Sequence, residues 1–251
     1  MAPLKLLVLG HSDSDGAKLS DPGDSWPRIV ERELWSSDGL AITLTHKVLF
    51  AGGNAIGFLE RQLDGLKPDI VVVAPSSFGA TFEAVSNRIE ELLGKRAAAL
   101  TRRIEAKAAW SPGSSARGYR LSARPKRTLR WLIGGRTAIS APALIASYRE
   151  IFQRLAREED VQLIGLGGAG YTAYHERNYP RMREIVDLFA AELAAAAREQ
   201  HIDWLVHEDL MGGPGAKEPF YMPDGVHTNE AAQRLVAEAM LPIIQGRWRG
   251  R

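Results

Sequence analysis

Two short polar segments near opposite ends of the chain hold the residue types that nucleophilic catalysis requires. Gly10–Gly16 (GHSDSDG) directly follows an apolar run and contains Ser12, whose hydroxyl is a nucleophile if a base can reach it. Near the other end, Asp224 precedes His227 by three residues. This spacing lets the carboxylate accept a hydrogen bond from one imidazole nitrogen while the other nitrogen faces a site. Either segment alone could be a plain turn or helix cap, because Ser, Asp, Gly and Asn are common in turns.

The pattern of apolar residues predicts the elements that must position these groups. Continuous apolar runs, typical of strands in parallel sheets, alternate with stretches of helical periodicity. The predicted strands are Leu4–Leu9, Ile42–Phe50, Ile70–Val73, Val161–Leu166 and Ile202–Val206. The predicted helices are Ser25–Leu34, Phe58–Leu66, a long helix from about Thr81, one opening at Ser140, Arg181–Gln200 and Asn229–Ile244. This alternation predicts an α/β fold: a three-layer α/β/α sandwich around a mostly parallel sheet, as one domain over residues 1–251.

In such a sheet the functional groups collect beyond the carboxyl ends of the strands, and Ser12 follows the first strand directly. Ser12 and the later Asp224-x-x-His227, in this order, resemble the blocks of the SGNH, or GDSL-type, hydrolases. The resemblance implies a flavodoxin-like SGNH fold in which Ser12 is the nucleophile, His227 the base and Asp224 its partner. It also implies an oxyanion hole formed by the backbone amides of Ser12 and of Gly53, which lies in the turn Ala51–Asn54.

The function that this resemblance implies is that of an esterase. A Ser-His-Asp triad would cleave a carboxylic ester of a small acyl group or a carbohydrate through an acyl-enzyme. No cofactor and no metal is implied, and the partner would be a small-molecule ester substrate. Two alternatives keep the fold: an acyltransferase that passes the acyl group to a sugar hydroxyl, and a non-catalytic domain that binds a carbohydrate or another partner.

The sequence departs from the family pattern at two positions. His11 stands where the family has an Asp before the nucleophile, and Phe78 stands where its third block has an Asn that donates to the oxyanion. Loss of one oxyanion donor costs on the order of 10²–10³ in rate. The missing donor could be replaced by Asn54, Ser76 or Ser77; otherwise the enzyme would be slow, or the fold would no longer hydrolyse esters.

Composition excludes several classes of site. The 251 residues include no Cys, which excludes disulfides, thiolate metal sites and a catalytic cysteine. No run of about 18 apolar residues is present, so we expect no transmembrane helix. Leu4–Leu9 is too short for the core of a signal peptide, and we expect a cytoplasmic protein.

The formal net charge of +2 hides a strongly basic stretch. Lys95 to Arg136 contains 12 Lys or Arg against one acid, Glu105, while the remainder contains 20 bases and 29 acids. Within it, Ser111–Arg127 is rich in Pro, Gly and Ser, which predicts a mobile segment. We therefore expect a basic insertion at about residues 95–140, near the site because it follows the third strand. It could contact an anionic surface or partner, or pack on the acidic remainder; we do not expect it to bind nucleic acid.

Three other patterns have less specific explanations. Gly165–Gly170 fits G-x-G-x-x-G but is followed by an irregular-looking stretch, Tyr171–Pro180, instead of the helix that a dinucleotide site requires. His175 and the segment His207–Asp209 have no partners at a metal-site spacing, which favours surface or helix-cap roles. Two carboxylates two residues apart, at 13 and 15, are common in turns and only weakly indicate a Mg²⁺ site.

Overall fold

In the computed structural model of the protein, the strands form one sheet in which every neighbouring pair is parallel. The structure describes residues 3–107, 128, 130, 132, 134–179 and 181–249. The strands of this sheet are β1 Leu4–Gly10, β2 Ile42–Val48, β3 Ile70–Val73, β4 Gln162–Gly167 and β5 Asp203–Val206. Their order across the sheet is β2-β1-β3-β4-β5.

Helices connect the strands and cover the sheet. They are α1 Trp26–Asp38, α2 Ala55–Leu66, α3 Phe78–Thr81, α4 Val85–Leu93, α5 Lys95–Lys107, α6 Ala141–Leu155, α7 Ala173–Asn178, α8 Met182–Glu199, α9 His207–Leu210 and α10 Glu230–Arg249. Short 3₁₀ turns lie at Pro22–Asp24 and Glu218–Phe220. Of the helices in the described ranges, none combines the length and apolar character that a membrane crossing requires.

The alternation of side chains along β1 explains why both faces of the sheet are covered. Leu7 and Leu9 point to one face and pack in a core with α2, α6 and α8. Leu6 and Val8 point to the other face and pack in a second core with α1 and α10. Burial of both faces is why β1 is apolar at nearly every position. The predicted α/β/α sandwich is confirmed, and its sheet is wholly parallel.

The register of the central strands brings their carboxyl ends to one edge of the sheet. Leu9 of β1 pairs with Val73 of β3, and Gly10 pairs with Val48 of β2. The loops that follow these three strands therefore leave the sheet at the same level. Functional groups gather at this edge in open parallel sheets.

Apart from shifts in the bounds of several elements, two predicted assignments are wrong. The long helix expected from about Thr81 is broken: α3 ends at Thr81, and Gly94 separates α4 from α5 with a φ of 82°. This is the left-handed region, which glycine adopts without a steric penalty. The stretch expected to be irregular, Tyr171–Pro180, contains helix α7.

Part of the predicted basic insertion is a regular helix. Residues 95–107 form α5, which packs on α4 through Glu105: its carboxylate accepts hydrogen bonds from the backbone of Val85, at 3.0 Å, and from the Ser86 hydroxyl, at 2.5 Å. The segment predicted to be mobile, Ser111–Arg127, lies outside the described residues. The far end of the insertion returns to the sheet edge, where the backbone amides of Ala138 and Ile139 donate to the carbonyl of Gly79.

Candidate active site

The loops at the carboxyl edge of the sheet enclose a cleft of about 870 Å³. Its walls come mainly from the loops after β1, β2, β3 and β4 and from the loop before α10, with residues 11–15, 48–53, 74–79, 166–171 and 226–227. Ser12, Gly53, Ser76, Ser77 and His227 all line it. The remaining predicted oxyanion residue, at position 54, precedes α2 and is not among the lining residues.

Ser12, His227 and Asp224 form a continuous chain of hydrogen bonds beside the cleft. Ser12 Oγ lies 2.8 Å from His227 Nε2, and His227 Nδ1 lies 2.6 Å from Asp224 Oδ2. An ionised carboxylate only accepts hydrogen bonds, so the proton of a neutral imidazole is on Nδ1. Nε2 is then the acceptor for the Ser12 hydroxyl. The arrangement can remove the Ser12 proton as its oxygen attacks an electrophile.

The carboxylate of Asp224 is held from several sides. Asp224 is 4% exposed, and its Oδ1 accepts hydrogen bonds from the backbone amides of Val226 and His227 at 2.9 and 3.0 Å. Burial alone would raise the pKa of Asp224. The hydrogen bond from His227 and these two amides outweigh burial and place the pKa below its usual value. The carboxylate is therefore ionised at neutral pH and fixes the imidazole tautomer.

Hydrogen bonds of Ser14 stabilise the turn that contains the candidate nucleophile. Its hydroxyl donates to the carbonyl of His11 at 2.9 Å and accepts from the His11 backbone amide at 3.0 Å. His46 Nε2, 3.0 Å from Ser14 Oγ, is the further donor, since the hydroxyl proton is already used. A Cβ on Gly10 would lie 2.0 Å from Ser14 Oγ, so this close turn requires glycine.

His11 is a neutral neighbour of the candidate base. Its Nδ1 accepts a hydrogen bond from the Asp13 backbone amide at 3.3 Å, which needs an unprotonated nitrogen. Burial, followed by repulsion from the rings of His227 and His46, lowers the pKa of His11 to about 4, although Asp15 acts in the opposite direction. The residue that replaces the family's Asp therefore adds no charge beside the base at neutral pH.

Two backbone amides are available to bind an oxyanion. Those of Ser12 and Gly53 have no hydrogen-bond partner among the described residues, and both residues line the cleft. The turn at Gly52 and Gly53 has φ values of 110° and 58°, which strain any residue with a Cβ. The amide of Gly52 donates to Ser147 Oγ at 2.8 Å and anchors this turn to α6.

The position of the missing Asn is occupied by an aromatic ring and two serines. The Phe78 ring is 51% exposed and stacks on Phe82 with 4.5 Å between centroids. The Phe78 backbone amide donates to Ser76 Oγ at 3.2 Å, and the Ser76 hydroxyl proton has no acceptor among the described residues. By contrast, Ser77 Oγ pairs with the Tyr171 hydroxyl at 3.3 Å. Ser76 is therefore the serine whose hydroxyl is engaged by no other side chain.

The surface role expected for two other histidines is wrong, because both are buried. His175 Nε2 donates to the backbone carbonyl of Asp224 at 2.6 Å and so supports the loop of the candidate base. His207 opens α9, and burial lowers its pKa. Its neighbour Glu208 is buried in an ion pair with Lys217 at 2.5 Å. Within the described ranges, no three metal-ligating side chains lie close enough together to hold an ion.

Sequence reasoning missed the contacts that join the two motifs. The carboxylate of Asp13, next to Ser12, accepts hydrogen bonds from the backbone amide and hydroxyl of Thr228, next to His227. Gln233 donates to both sides of this contact. Asp13 and Thr228 are 215 residues apart in sequence, and no spacing pattern in a single sequence relates them.

The chain is similar in structure to several solved proteins, and some of these are described as esterases or as a lipase. The sequence matches no protein-family model and no curated protein. TesA is 17% identical, with a TM-score of 0.55 over 97% of this chain and 99% of its own. Axe2, an acetylxylan esterase from Geobacillus stearothermophilus, is 14% identical, with a TM-score of 0.56 over 95% and 93%. An extracellular lipase from Streptomyces rimosus is 14% identical, with a TM-score of 0.54 over 97% and 99%. The chain therefore has the fold of the SGNH hydrolases, the family that its two motifs resemble.

Proposed function

We propose that this protein is a serine hydrolase that cleaves carboxylic esters. The observation that carries the proposal is the hydrogen-bonded chain from Ser12 Oγ through His227 to Asp224 beside an open cleft. The structural neighbours include an acetylxylan esterase and a lipase, which supports ester hydrolysis as the class of reaction.

The proposed reaction follows from the geometry of these three side chains. His227 Nε2 takes the Ser12 proton while Oγ attacks the ester carbonyl, and Asp224 stabilises the imidazolium that forms. The tetrahedral intermediate collapses as His227 returns the proton to the leaving alcohol, which leaves Ser12 acylated. Water, deprotonated by the same imidazole, then releases the acid and restores the free serine.

The oxyanion of the tetrahedral intermediate needs preorganised donors. We assign this role to the backbone amides of Ser12 and Gly53 and, in place of the family's Asn, to the Ser76 hydroxyl. Ser76 lies three residues after Val73 of β3, just as Ser12 lies three residues after Leu9 of β1, and these two strand residues are paired. Ser77 fits the role less well because its hydroxyl is engaged by a tyrosine.

The walls of the cleft favour an apolar acyl group. Phe50 is 81% exposed and Phe78 is 51% exposed, and both line the cleft. Aliphatic side chains also line the cleft, including Leu49, Ile139 and Leu144. Exposed aromatic rings around a cavity typically mark a binding surface. We therefore propose an acyl chain longer than acetyl as the preferred substrate group.

Labelling and hydrolysis test the proposed nucleophile and base together. Ser12→Ala and His227→Ala should each abolish hydrolysis of p-nitrophenyl butyrate, and a fluorophosphonate probe should label the wild type on Ser12. Ser36→Ala is the matched control, because Ser36 is exposed on α1 and its hydroxyl only bonds the carbonyl of Glu33. Wild-type turnover or labelling in Ser12→Ala would show that the mechanism is wrong.

A further inference from the structure

We propose that Asp13 is a positioning residue that fixes the candidate base relative to the nucleophile. The proposal rests on the proposed function, in which Ser12 is the nucleophile and His227 the base. Asp13 directly follows Ser12, and its partner Thr228 directly follows His227. One carboxylate therefore connects the two loops at a distance of one residue from the reacting atoms.

The contact between Asp13 and Thr228 is made by several short hydrogen bonds. The Thr228 backbone amide donates to Asp13 Oδ1 at 2.8 Å. The Thr228 hydroxyl lies 2.8 Å from both Oδ1 and Oδ2, so its single proton is shared between them. His207 Nδ1 is 3.9 Å from Asp13 Oδ2, which is too far for a hydrogen bond. The hydrogen bonds to the Asp13 carboxylate that this proposal uses therefore come from Thr228.

A buried glutamine extends this contact into the two neighbouring helices. Gln233 Nε2, on α10, donates to the Thr228 hydroxyl at 2.8 Å and to the Asp13 carbonyl at 3.0 Å. Gln233 Oε1 accepts from the backbone amide of Trp26, at the start of α1, at 2.9 Å. Thr228 is 1% exposed and Gln233 is fully buried. A satisfied polar network of this kind rigidifies the groups that it joins.

The consequence for catalysis is geometric. Proton transfer from Ser12 to His227 depends on the 2.8 Å separation of Oγ and Nε2. These atoms belong to loops far apart in sequence, and the carboxylate of Asp13 is a direct side-chain bridge between them. A misplacement of about 1 Å can cost about 10²-fold in rate. Loss of this bridge should lower kcat rather than weaken substrate binding.

Steady-state kinetics on p-nitrophenyl butyrate test the bridge with graded variants. Asp13→Ala should lower kcat about 10²-fold with KM changed less than about threefold. Asp13→Asn keeps an acceptor oxygen at Oδ1 and should retain most of kcat. Thr228→Val loses the hydroxyl but keeps the backbone amide, and should fall between them. Asp13→Ala combined with Thr228→Val should be no slower than Asp13→Ala alone, because both changes remove one interaction.

Several outcomes would overturn the proposal. These are an Asp13→Ala variant with wild-type kcat, a loss that falls wholly on KM, or an Asp13→Asn variant as slow as Asp13→Ala. The last would show that charge, rather than hydrogen bonding, is what Asp13 contributes. If Asp13→Ala does not fold, the two milder variants, Thr228→Val and Asp13→Asn, provide the test. The kcat of Thr228→Val should be clearly lower than that of Asp13→Asn, and equal kcat values would reject the bridge.

Proton NMR provides a readout that does not depend on turnover. The low-field resonance of the His227 Nδ1 proton, assigned by its loss in His227→Ala, should be present in the wild type and broadened or lost in Asp13→Ala. Asp21→Ala is the control, because Asp21 is exposed and its carboxylate accepts a hydrogen bond from the backbone amide of Gly23, away from the site. A wild type without esterase activity would reject the proposed function alone. An unchanged resonance in Asp13→Ala would reject the bridge.

Discussion

At the scale of single residues, an oxyanion donor needs a fixed position and a free proton, and Ser76 has both. Its backbone amide donates to the Tyr148 hydroxyl at 3.1 Å, and its own Oγ accepts from the amide of Phe78. Ser76→Ala should therefore lower kcat by about 10²–10³ with little change in KM. Ser77→Ala is the adjacent control and should have a far smaller effect, because that hydroxyl already pairs with Tyr171. The reverse ranking of the two serines would contradict the assignment.

The same reasoning predicts the effect of restoring the family's residue. If Ser76 already donates to the oxyanion, Phe78→Asn should leave kcat for a short ester close to the wild-type value. A large increase in kcat would instead mean that the third donor is missing in the natural protein. Measuring Phe78→Asn and the double variant with Ser76→Ala separates these cases. An Asn that rescues only the Ser76→Ala background supports the proposed donor.

At the scale of elements, the loops after β2 and β3 each place one exposed phenylalanine at the cleft. Along p-nitrophenyl esters from acetate to octanoate, kcat/KM should rise by at most about fourfold per methylene, which corresponds to about 0.8 kcal/mol of burial. Phe50→Ala should reduce this gain for the longer esters and spare acetate. Trp35→Ala is the control, since Trp35 is an exposed aromatic residue on α1 that does not line the cleft. A flat series in the wild type would contradict the proposed acyl preference.

Elements that are determined by their local sequence were predictable. The strand Ile70–Val73 has the predicted bounds, because an apolar run buried on both faces leaves no other assignment. The start of α6 follows from local capping: Ser140 accepts a hydrogen bond from the amide of Ala143, and a proline lies in the first turn. The two motifs likewise indicated which edge of the sheet carries the candidate site, because their loops follow or precede predicted elements.

Features that depend on distant contacts were not predictable. The burial of His175 is decided by the Asp224 carbonyl, 49 residues away, and by the ring of Phe82 from a different loop. Its local sequence is polar and gives no sign of either partner. The bridge from Asp13 to Thr228 is similar, because carboxylates in a polar turn normally indicate only a turn. A helix as short as α7 has too few residues to show a period.

At the scale of the whole molecule, the active-site edge of the sheet contains several histidines that folding holds neutral. Burial is the main cause in each case, and it lowers the pKa of His11 to about 4 and also lowers those of His46 and His207. In the unfolded chain these imidazoles titrate near about 6.5. Between these values the unfolded state binds more protons than the folded state. The free energy of unfolding therefore decreases as the pH falls.

This linkage predicts an acid-sensitive fold whose sensitivity begins above the usual range of carboxylates. The free energy of unfolding should start to fall below about pH 6.5 and continue to fall to about pH 4. The slope is at most about 1.4 kcal/mol per pH unit for each extra proton that the unfolded chain binds. Denaturant unfolding of the wild type and of His11→Asn, measured at half-unit steps from pH 7.5 to pH 4, should give a smaller slope in the variant.

His201→Asn is the control, because His201 is exposed and its φ of 53° suits asparagine. A wild-type slope retained in His11→Asn would mean that His11 does not contribute to the loss of stability. The two variants are compared by the slope of their unfolding free energy against pH, and not by their absolute stability. The comparison is direct because both replace a histidine by asparagine.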